Sequence, residues 1–286
     1  MVQNIVENIV PIRQRMTDNE FLRISEFITS GYGIKLPPFK KTMVEGRLHK
    51  RLRKTGINTF SEYIDFVFGK NGGAELLEMI DAISTNKTDF FRESAHFDFL
   101  TSKLIPELIE KNQRKVNIWS SAASSGEEIY TIAMVFEEFA ATPGNLRVDY
   151  SIIGTDISVD KLKAAISGIY TYERIKDIPV NIRDRYFLKS KNKEKKEVRI
   201  IPSIRSKVKF QRQNLMDSHY GVGDNFDIIF CRNVLIYFDK ELQEKVINKL
   251  CQKLAPGGYF FLGHSESIIG KEVPLTQVMP TVYRKK

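Results

Sequence analysis

The chain has 286 residues, 42 % hydrophobic and 28 % charged, an ordinary globular usage that excludes disorder and leaves room for two domains. Its two cysteines, Cys231 and Cys251, exclude a disulfide framework, and no apolar run reaches the roughly 18 residues of a membrane helix. The net charge of +9 excludes no acidic partner, whether nucleic acid, anionic membrane or acidic protein surface.

The first ten residues place Val2, Ile5, Val6 and Ile9 at helical spacing before Pro11, which predicts a short docking helix or a frayed end. No basic start, apolar core and cleavage site follow one another there, so a cytoplasmic protein is expected. Thr17-Asp-Asn-Glu20 reads as a capping box before the stripe Phe21, Ile24 and Ile28, and Gly31 and Gly33 end that helix. From about Lys40 to Lys54, Val44, Leu48 and Leu52 line one helix face. Arg47, Lys50, Arg51, Arg53 and Lys54 fill the rest. Between Lys35 and Lys54 eight Lys or Arg face one acid, Glu45. A solvated face is the ordinary meaning of such a run; recognition of an acidic partner is favoured here because the self-repulsion is otherwise uncompensated. Thr59-Phe-Ser-Glu62 opens another helix, and Leu76, Leu77, Ile80 and Ile83 mark a further one. Residues 1–85 therefore read as an all-helical domain.

The pattern changes after Val116. Strands are predicted at Val116–Trp119, Tyr150–Gly154, Phe226–Cys231 and Tyr259–Leu262. Helices are predicted at about Glu127–Phe139 and Lys161–Ile166 and along the stripe Leu242, Val246, Leu250 and Leu254. This alternation predicts an α/β domain over 86–286, with a doubly wound, mostly parallel sheet. Residues 180–211 break it. A lysine-rich turn, Lys189 to Lys196, lies between short alternating runs at Tyr186 and at Val198–Ile200, and Val208 and Phe210 add another. A small antiparallel insertion is expected there, its edge open to an extended peptide; a decorated surface loop is the alternative.

In open α/β sheets ligands sit at the carboxyl ends of the strands. The unusual polar residues of this sequence fall at those ends. Ser120 to Gly126 is a run of small residues opening a helix, with Glu127 and Glu128 at the helix start, where simple capping is the alternative role. Asp156 follows the second strand, where an acid can hold ribose hydroxyls. Asn214 and Leu215 follow the third core strand, and Arg232 and Asn233 the fourth. Gly126 stands without the further glycines that a pyrophosphate needs, and no Walker lysine motif is present. The four histidines show no metal-ligand spacing, so no metal is expected.

Several longer runs resemble the CheR-type chemoreceptor methyltransferases, in the right order over nearly the whole chain. They are Asn86-Lys-Thr-Asp-Phe-Phe-Arg92, Trp119-Ser-Ser-Ala-Ala-Ser-Ser-Gly-Glu-Glu128, Thr155-Asp156-Ile157, Ser167-Gly-Ile-Tyr170, Cys231-Arg-Asn-Val-Leu-Ile-Tyr-Phe238, and Gly257-Gly followed by Gly263-His-Ser-Glu266. Gly46-Arg-Leu-His-Lys-Arg-Leu-Arg53 is similar to the family's basic helix. Ile129 departs from the proline expected after the Glu pair, a residue that a first helical turn suits but does not require.

The resemblance implies a class I methyltransferase-like fold for residues 86–286 that binds S-adenosylmethionine and releases S-adenosylhomocysteine. It implies that Asn86, Thr88, Arg92, a Glu of the 127–128 pair (Glu128 favoured over Glu127), Asp156, Asn214, Leu215, Arg232 and Asn233 line the cofactor site. Tyr237 would lie beside the transferred methyl, and Arg92 and Tyr237 would align the reaction. The implied activity is esterification of glutamate side chains on the cytoplasmic domain of methyl-accepting chemoreceptors for chemotactic adaptation. Arg47, Lys50, Arg51, Arg53 and Lys54 would bind that substrate, and the insertion would offer a site for a receptor tail peptide. A carboxylate with a pKa of about 4.3 is already ionised near neutral pH, so no general base is required. A monomer without nucleic acid or membrane insertion is expected. The rival readings are a cofactor- or peptide-binding module without turnover, and a nucleic-acid methyltransferase. The latter is disfavoured because Arg232-Asn-Val-Leu-Ile-Tyr237 lacks the paired prolines of the amino-methylating DNA enzymes.

Overall fold

The computed structural model of the protein describes residues 15–84, 87–192 and 194–286. The helix expected within the first ten residues and the site residue Asn86 lie outside them. Two compact units divide the chain after Ser84.

The first unit is all helical among the described residues: α1 (Asp18–Tyr32), α2 (Lys41–Thr55), α3 (Phe60–Phe68) and α4 (Gly73–Ile83). The capping box forms: the Thr17 hydroxyl accepts the Glu20 N–H, and the Glu20 carboxylate accepts the Thr17 N–H at 2.7 Å. Gly33, with φ of 70°, closes α1 in the left-handed conformation that glycine adopts without steric cost. The apolar stripes then bury one another. Ile24, Ile28, Val44, Leu48, Leu52, Phe60 and Tyr63 have no exposed surface, and each such apolar side chain contributes roughly 1.5–3 kcal/mol.

The second unit opens with a helical stretch. It comprises α5 (Ala95–Phe99), a π-helical turn at Leu100–Leu104 and α6 (Ile105–Glu110). Pro106 lacks the N–H that an unbroken α-helix would use, and the helix is widened just before it. The alternating region follows as β1 (Lys115–Ser120), α7 (Glu127–Ala141), β2 (Asp149–Asp156) and α8 (Val159–Ser167). Next come β3 (Ile169–Thr171), α9 (Val180–Tyr186), β4 (Phe187–Lys189), β5 (Glu197–Ile200) and α10 (Pro202–Arg205). The chain closes with β6 (Val208–Arg212), β7 (Phe226–Cys231), α11 (Lys240–Lys253), β8 (Leu254–Leu262), β9 (Leu275–Met279) and β10 (Val282–Lys285).

Seven strands form one sheet in the order β6-β2-β1-β7-β8-β10-β9. The pairs from β6 to β8 are parallel, and β10 pairs antiparallel with β8 and β9. Central strand β7 reads Phe-Asp-Ile-Ile-Phe-Cys, nearly all apolar, because helices and loops cover both of its faces. The chain runs outward from β1 through β2 to β6, then returns to β7. The order therefore switches between β1 and β7, which is where such a sheet opens a crevice at its carboxyl edge.

The antiparallel insertion is present, with strand order β3-β5-β4. Its bounds differ from the 180–211 expected. It begins earlier, at Ile169, and Val208–Arg212 is no part of it: β6 joins the main sheet beside β2, pairing Ile152 with Val208 and Asp156 with Arg212. Alternation in a five-residue strand does not reveal which sheet the strand joins. Val208 faces the main core, whereas Lys209 belongs to the sheet's edge, and an edge strand shows the same half-polar pattern as a hairpin.

Candidate functional site at the strand ends

The loop after β1 runs back against the end of β2. The Asp156 carboxylate accepts the Ser124 N–H at 2.8 Å on one oxygen and the Ser158 N–H at 2.9 Å on the other. It thus ties the Ser-Ala loop to the start of α8. Ser124 takes φ of 46° to make this turn. Gly126 follows at φ of 94°. A Cβ there would stand 3.1 Å from Ala165, Tyr130 and the Tyr170 hydroxyl, so the loop closes only on glycine. Ile129, the departure from proline, is fully buried over Gly154, where an added Cβ would meet its side chain at 2.0 Å.

The two glutamates opening α7 diverge. Glu127 is buried and accepts from the Ser125 hydroxyl at 2.7 Å and from Arg174 at 2.6 Å. Glu128 accepts from the Ser120 hydroxyl at 2.8 Å and from Arg232 at 2.9 Å. Glu128 therefore joins the cluster at the end of β7.

Arg232 is the hub of that cluster, its side chain only 2 % exposed. It donates to Glu128, to Glu93 at 2.9 Å and to the Arg92 carbonyl at 2.6 Å. Among the described residues its buried Nε has no hydrogen-bond partner, and neither has the buried Ser124 hydroxyl. Burial pushes the Glu93 carboxyl up, but Arg232 and the Asn233 amide overcome this and hold it at about 2. The Asn233 amide donates to Glu93 at 3.1 Å. Burial and the Arg232 charge push His96 down to about 4, so it is neutral near pH 7.

A second acid sets the turn after β7. Glu266 is 6 % exposed, and burial pushes its carboxyl up. It accepts backbone N–H groups from Asn233 at 2.9 Å, Leu235 at 2.7 Å and Gly263 at 2.7 Å. This clamp holds Asn233 at φ of 59° and leads into the 3₁₀ turn Leu235–Tyr237. A Cβ on Gly263 would lie 2.4 Å from the Asn233 amide nitrogen, so glycine is needed there. Phe91 (φ of 53°), Glu93 (58°), Ser124 and Asn233 all adopt left-handed backbone at these strand ends. Each costs on the order of 1–3 kcal/mol, and such strain concentrates at functional sites.

The remaining expected residues are placed as follows. Arg92 is 36 % exposed and donates to the Lys87 carbonyl at 2.9 Å. The Thr88 carbonyl accepts from Arg174. Asn214 folds its turn by accepting the Met216 N–H at 3.0 Å, and Leu215 is buried in the second face's core. Tyr237 is half-buried. In the first unit, Arg47 donates to the carbonyls of Ala82, Ile83 and Ser84 and so caps the end of α4. Arg51 pairs with Glu75 and Glu78. Lys50, Arg53 and Lys54 are exposed.

Sequence reading assigned no role to Glu93, His96, Arg174 or Glu266. Glu93 and Glu266 stand inside or beside quoted runs, directly after Arg92 and at the end of Gly263-His-Ser-Glu266. Those runs were the available signal. Glu93, His96 and His264 also bring three possible metal-ligand atoms within 4.8 Å of one another, which spacing along the chain did not suggest. Arg232 already places a fixed cation on the shared Glu93 oxygen.

These contacts define a doubly wound α/β protein with a cluster of charged and polar side chains at the carboxyl ends of its strands. Residues 86–283 match the family described as CheR methyltransferase, SAM binding domain, and residues 19–84 match CheR methyltransferase, all-alpha domain. The chain belongs to the CheR methyltransferase family, and S-adenosylmethionine is the cofactor of the matched domain. The chemotaxis protein methyltransferase of Borreliella burgdorferi is 39 % identical over 99 % of this chain and 99 % of its own length. That of Escherichia coli is 35 % identical over 95 % and 92 %. Chemotaxis protein methyltransferase 1 of Pseudomonas aeruginosa is 37 % identical over 94 % and 98 %.

Proposed function

We propose that this protein transfers the methyl group of S-adenosylmethionine to glutamate side-chain carboxylates of a cytoplasmic chemoreceptor domain. The products are a glutamate methyl ester and S-adenosylhomocysteine. The observation that carries this reading is the buried Arg232 hub, whose Nε has no partner among the described residues and which joins the segment of Arg92 to the turn leading to Tyr237. A buried polar atom without a partner is costly, which supports a ligand at this point.

The residues fit the cofactor. Carboxylates of Glu93, Glu127, Glu128, Asp156 and Glu266 outnumber the guanidiniums of Arg92, Arg174 and Arg232. Such a field favours a cation. When bound, S-adenosylmethionine supplies an electrophilic methyl on a sulfonium. Asp156 would hold ribose hydroxyls, and Arg92 or Arg232 the carboxylate of the amino-acid tail. Asn86, Thr88, Asn214, Leu215 and Asn233 would complete the wall. The chain's remaining task is alignment, which can supply roughly 7–11 kcal/mol of barrier reduction. Arg92 and Tyr237 would set it at the mouth, while the strand ends exclude water.

The acidic substrate would meet Lys50, Arg53 and Lys54. Arg47 and Arg51, assigned to the same face from the sequence, are engaged within their own unit and contribute less. The three-stranded insertion ends in β3 and β4, and Ile169, Arg199 and Leu188 form an exposed row across it. We propose that an extended receptor tail adds there as a further strand. Among the described residues no helix is long and apolar enough to cross a membrane.

The test is incubation with methyl-labelled cofactor and a receptor cytoplasmic fragment, followed by mild base. Label released as methanol is expected. Label that survives base would mean a nitrogen acceptor and overturn the carboxylate reading.

A further inference from the structure

We propose that Arg174, a residue of the antiparallel insertion, is a positioning residue for the cofactor-binding segment 87–92 and through it for Arg92. The proposal rests on the cofactor reading above. Arg174 lies in the 3₁₀ turn Tyr172–Ile175, directly after β3. Its guanidinium bridges two separate segments of the chain. On one side it donates to the Thr88 carbonyl and to the Asp89 carboxylate at 3.0 Å. On the other it donates to Glu127 at 2.6 Å, at the first turn of α7.

Segment 87–89 has no helix or strand of its own to hold it. Its position must come from contacts with other elements, and the insertion supplies most of them. Phe90 packs edge-on against Tyr170 of β3 at 4.9 Å and against Phe187 of β4 at 5.4 Å. The Tyr170 hydroxyl donates to the Ser125 carbonyl at 2.7 Å, so the insertion also grips the Ser-Ala loop. The next link is Arg92, whose guanidinium donates to the Lys87 carbonyl at 2.9 Å. Arg174 therefore fixes the backbone from which the Arg92 side chain is held.

Two roles must be separated. Arg174 also neutralises Glu127, which is 1 % exposed, and that alone would be a structural function. A lysine distinguishes them. It keeps the charge beside Glu127, but its single ammonium cannot span Thr88, Asp89 and Glu127 as the planar fork does.

The experiment compares wild type, Arg174→Lys and Arg174→Met by calorimetric binding of S-adenosylmethionine well below each melting temperature. It also measures kcat and the KM for a receptor fragment. Arg174→Lys is expected to melt close to wild type, yet to bind the cofactor about tenfold more weakly and to turn over more slowly at unchanged receptor KM. Arg174→Met is expected to lose both stability and affinity. Wild-type affinity and kcat in Arg174→Lys would reduce Arg174 to a neutraliser of Glu127 and overturn the proposal. If the wild type itself binds no cofactor, the reading of the site fails instead.

Discussion

Two arginines, Arg51 half-buried and Arg232 buried, divide the molecule's two units by their purpose. Arg51 in α2 and Arg232 after β7 each bridge two glutamates. Arg51 is satisfied: its Nε and one Nη donate to Glu75, the other Nη reaches Glu78, and the Tyr63 hydroxyl completes Glu75 at 2.7 Å. Arg232 is more deeply buried, and among the described residues its Nε has no partner. It is surrounded by left-handed residues, whereas α2 is regular and ends on a glycine with φ of 74°. A closed network braces a scaffold. A network left open amid strained backbone is, we propose, completed by the cofactor.

The comparison breaks most visibly at Arg232. Arg232→Met removes the cation from the half-buried Glu93 and Glu128, which keep the Asn233 and Ser120 donors, and costs about 3 kcal/mol. The melting temperature should fall, and S-adenosylmethionine affinity should drop on the order of a hundredfold when measured by calorimetry on the folded protein. Unchanged cofactor affinity would place Arg232 with Arg51 as a brace only.

The reverse holds for Arg51. Arg51→Met strands Glu75 and Glu78 in a less buried setting, where water screens part of the loss, so about 2–3 kcal/mol is expected. Amides of Phe60–Phe68 should exchange faster by mass spectrometry, since Tyr63 and Glu75 lose their common anchor. Cofactor affinity should stay within twofold. A loss matching that of Arg232→Met would erase the distinction between the two networks.

Sequence reading was strongest where the signal is local. Capping at Thr17 and Thr59, the stripes of α1 and α2, and the alternation from β1 to β8 follow from spacings of two to four residues, and the structure has them. The basic helix was legible as a helix but not in its detail. Arg47 and Arg51 sit on the same face in a helical projection as the exposed lysines, yet they turn toward α4, whose approach no local pattern announces. The same limit hid Glu93, Arg174 and Glu266. Arg232 finds Glu93 across 139 residues, Arg174 finds Glu127 across 47, and the Glu266 clamp reaches back 33 to Asn233. The antiparallel pair β9 and β10 was missed because short, partly exposed strands, with β9 at the sheet edge, lack a continuous apolar run. The strand-end polar residues, by contrast, betrayed themselves by sitting where an apolar strand stops.

The smallest expected effect sharpens the open network from within. His96 is fully buried, with Nε2 at 2.8 Å from the Thr281 hydroxyl and Nδ1 facing Glu93 at 3.8 Å. Arg232, Glu93 and His264 are the charged or titratable groups that act on it. Burial and Arg232 lower its pKa from 6.5 to about 4. Between these values the unfolded chain binds a proton that the native protein refuses, so stability falls as pH drops below about 6.5. From pH 7 to 5.5 this one group should remove about 1 kcal/mol. Glu266 acts with the opposite sign, because burial raises its pKa and the native state binds its proton first. The difference between wild type and His96→Gln therefore isolates the histidine, since Glu266 is common to both. Urea unfolding of each at pH 7 and 5.5 should show a steeper loss in the wild type. Parallel losses would mean that His96 titrates as an ordinary histidine and that the Arg232 charge does not reach it.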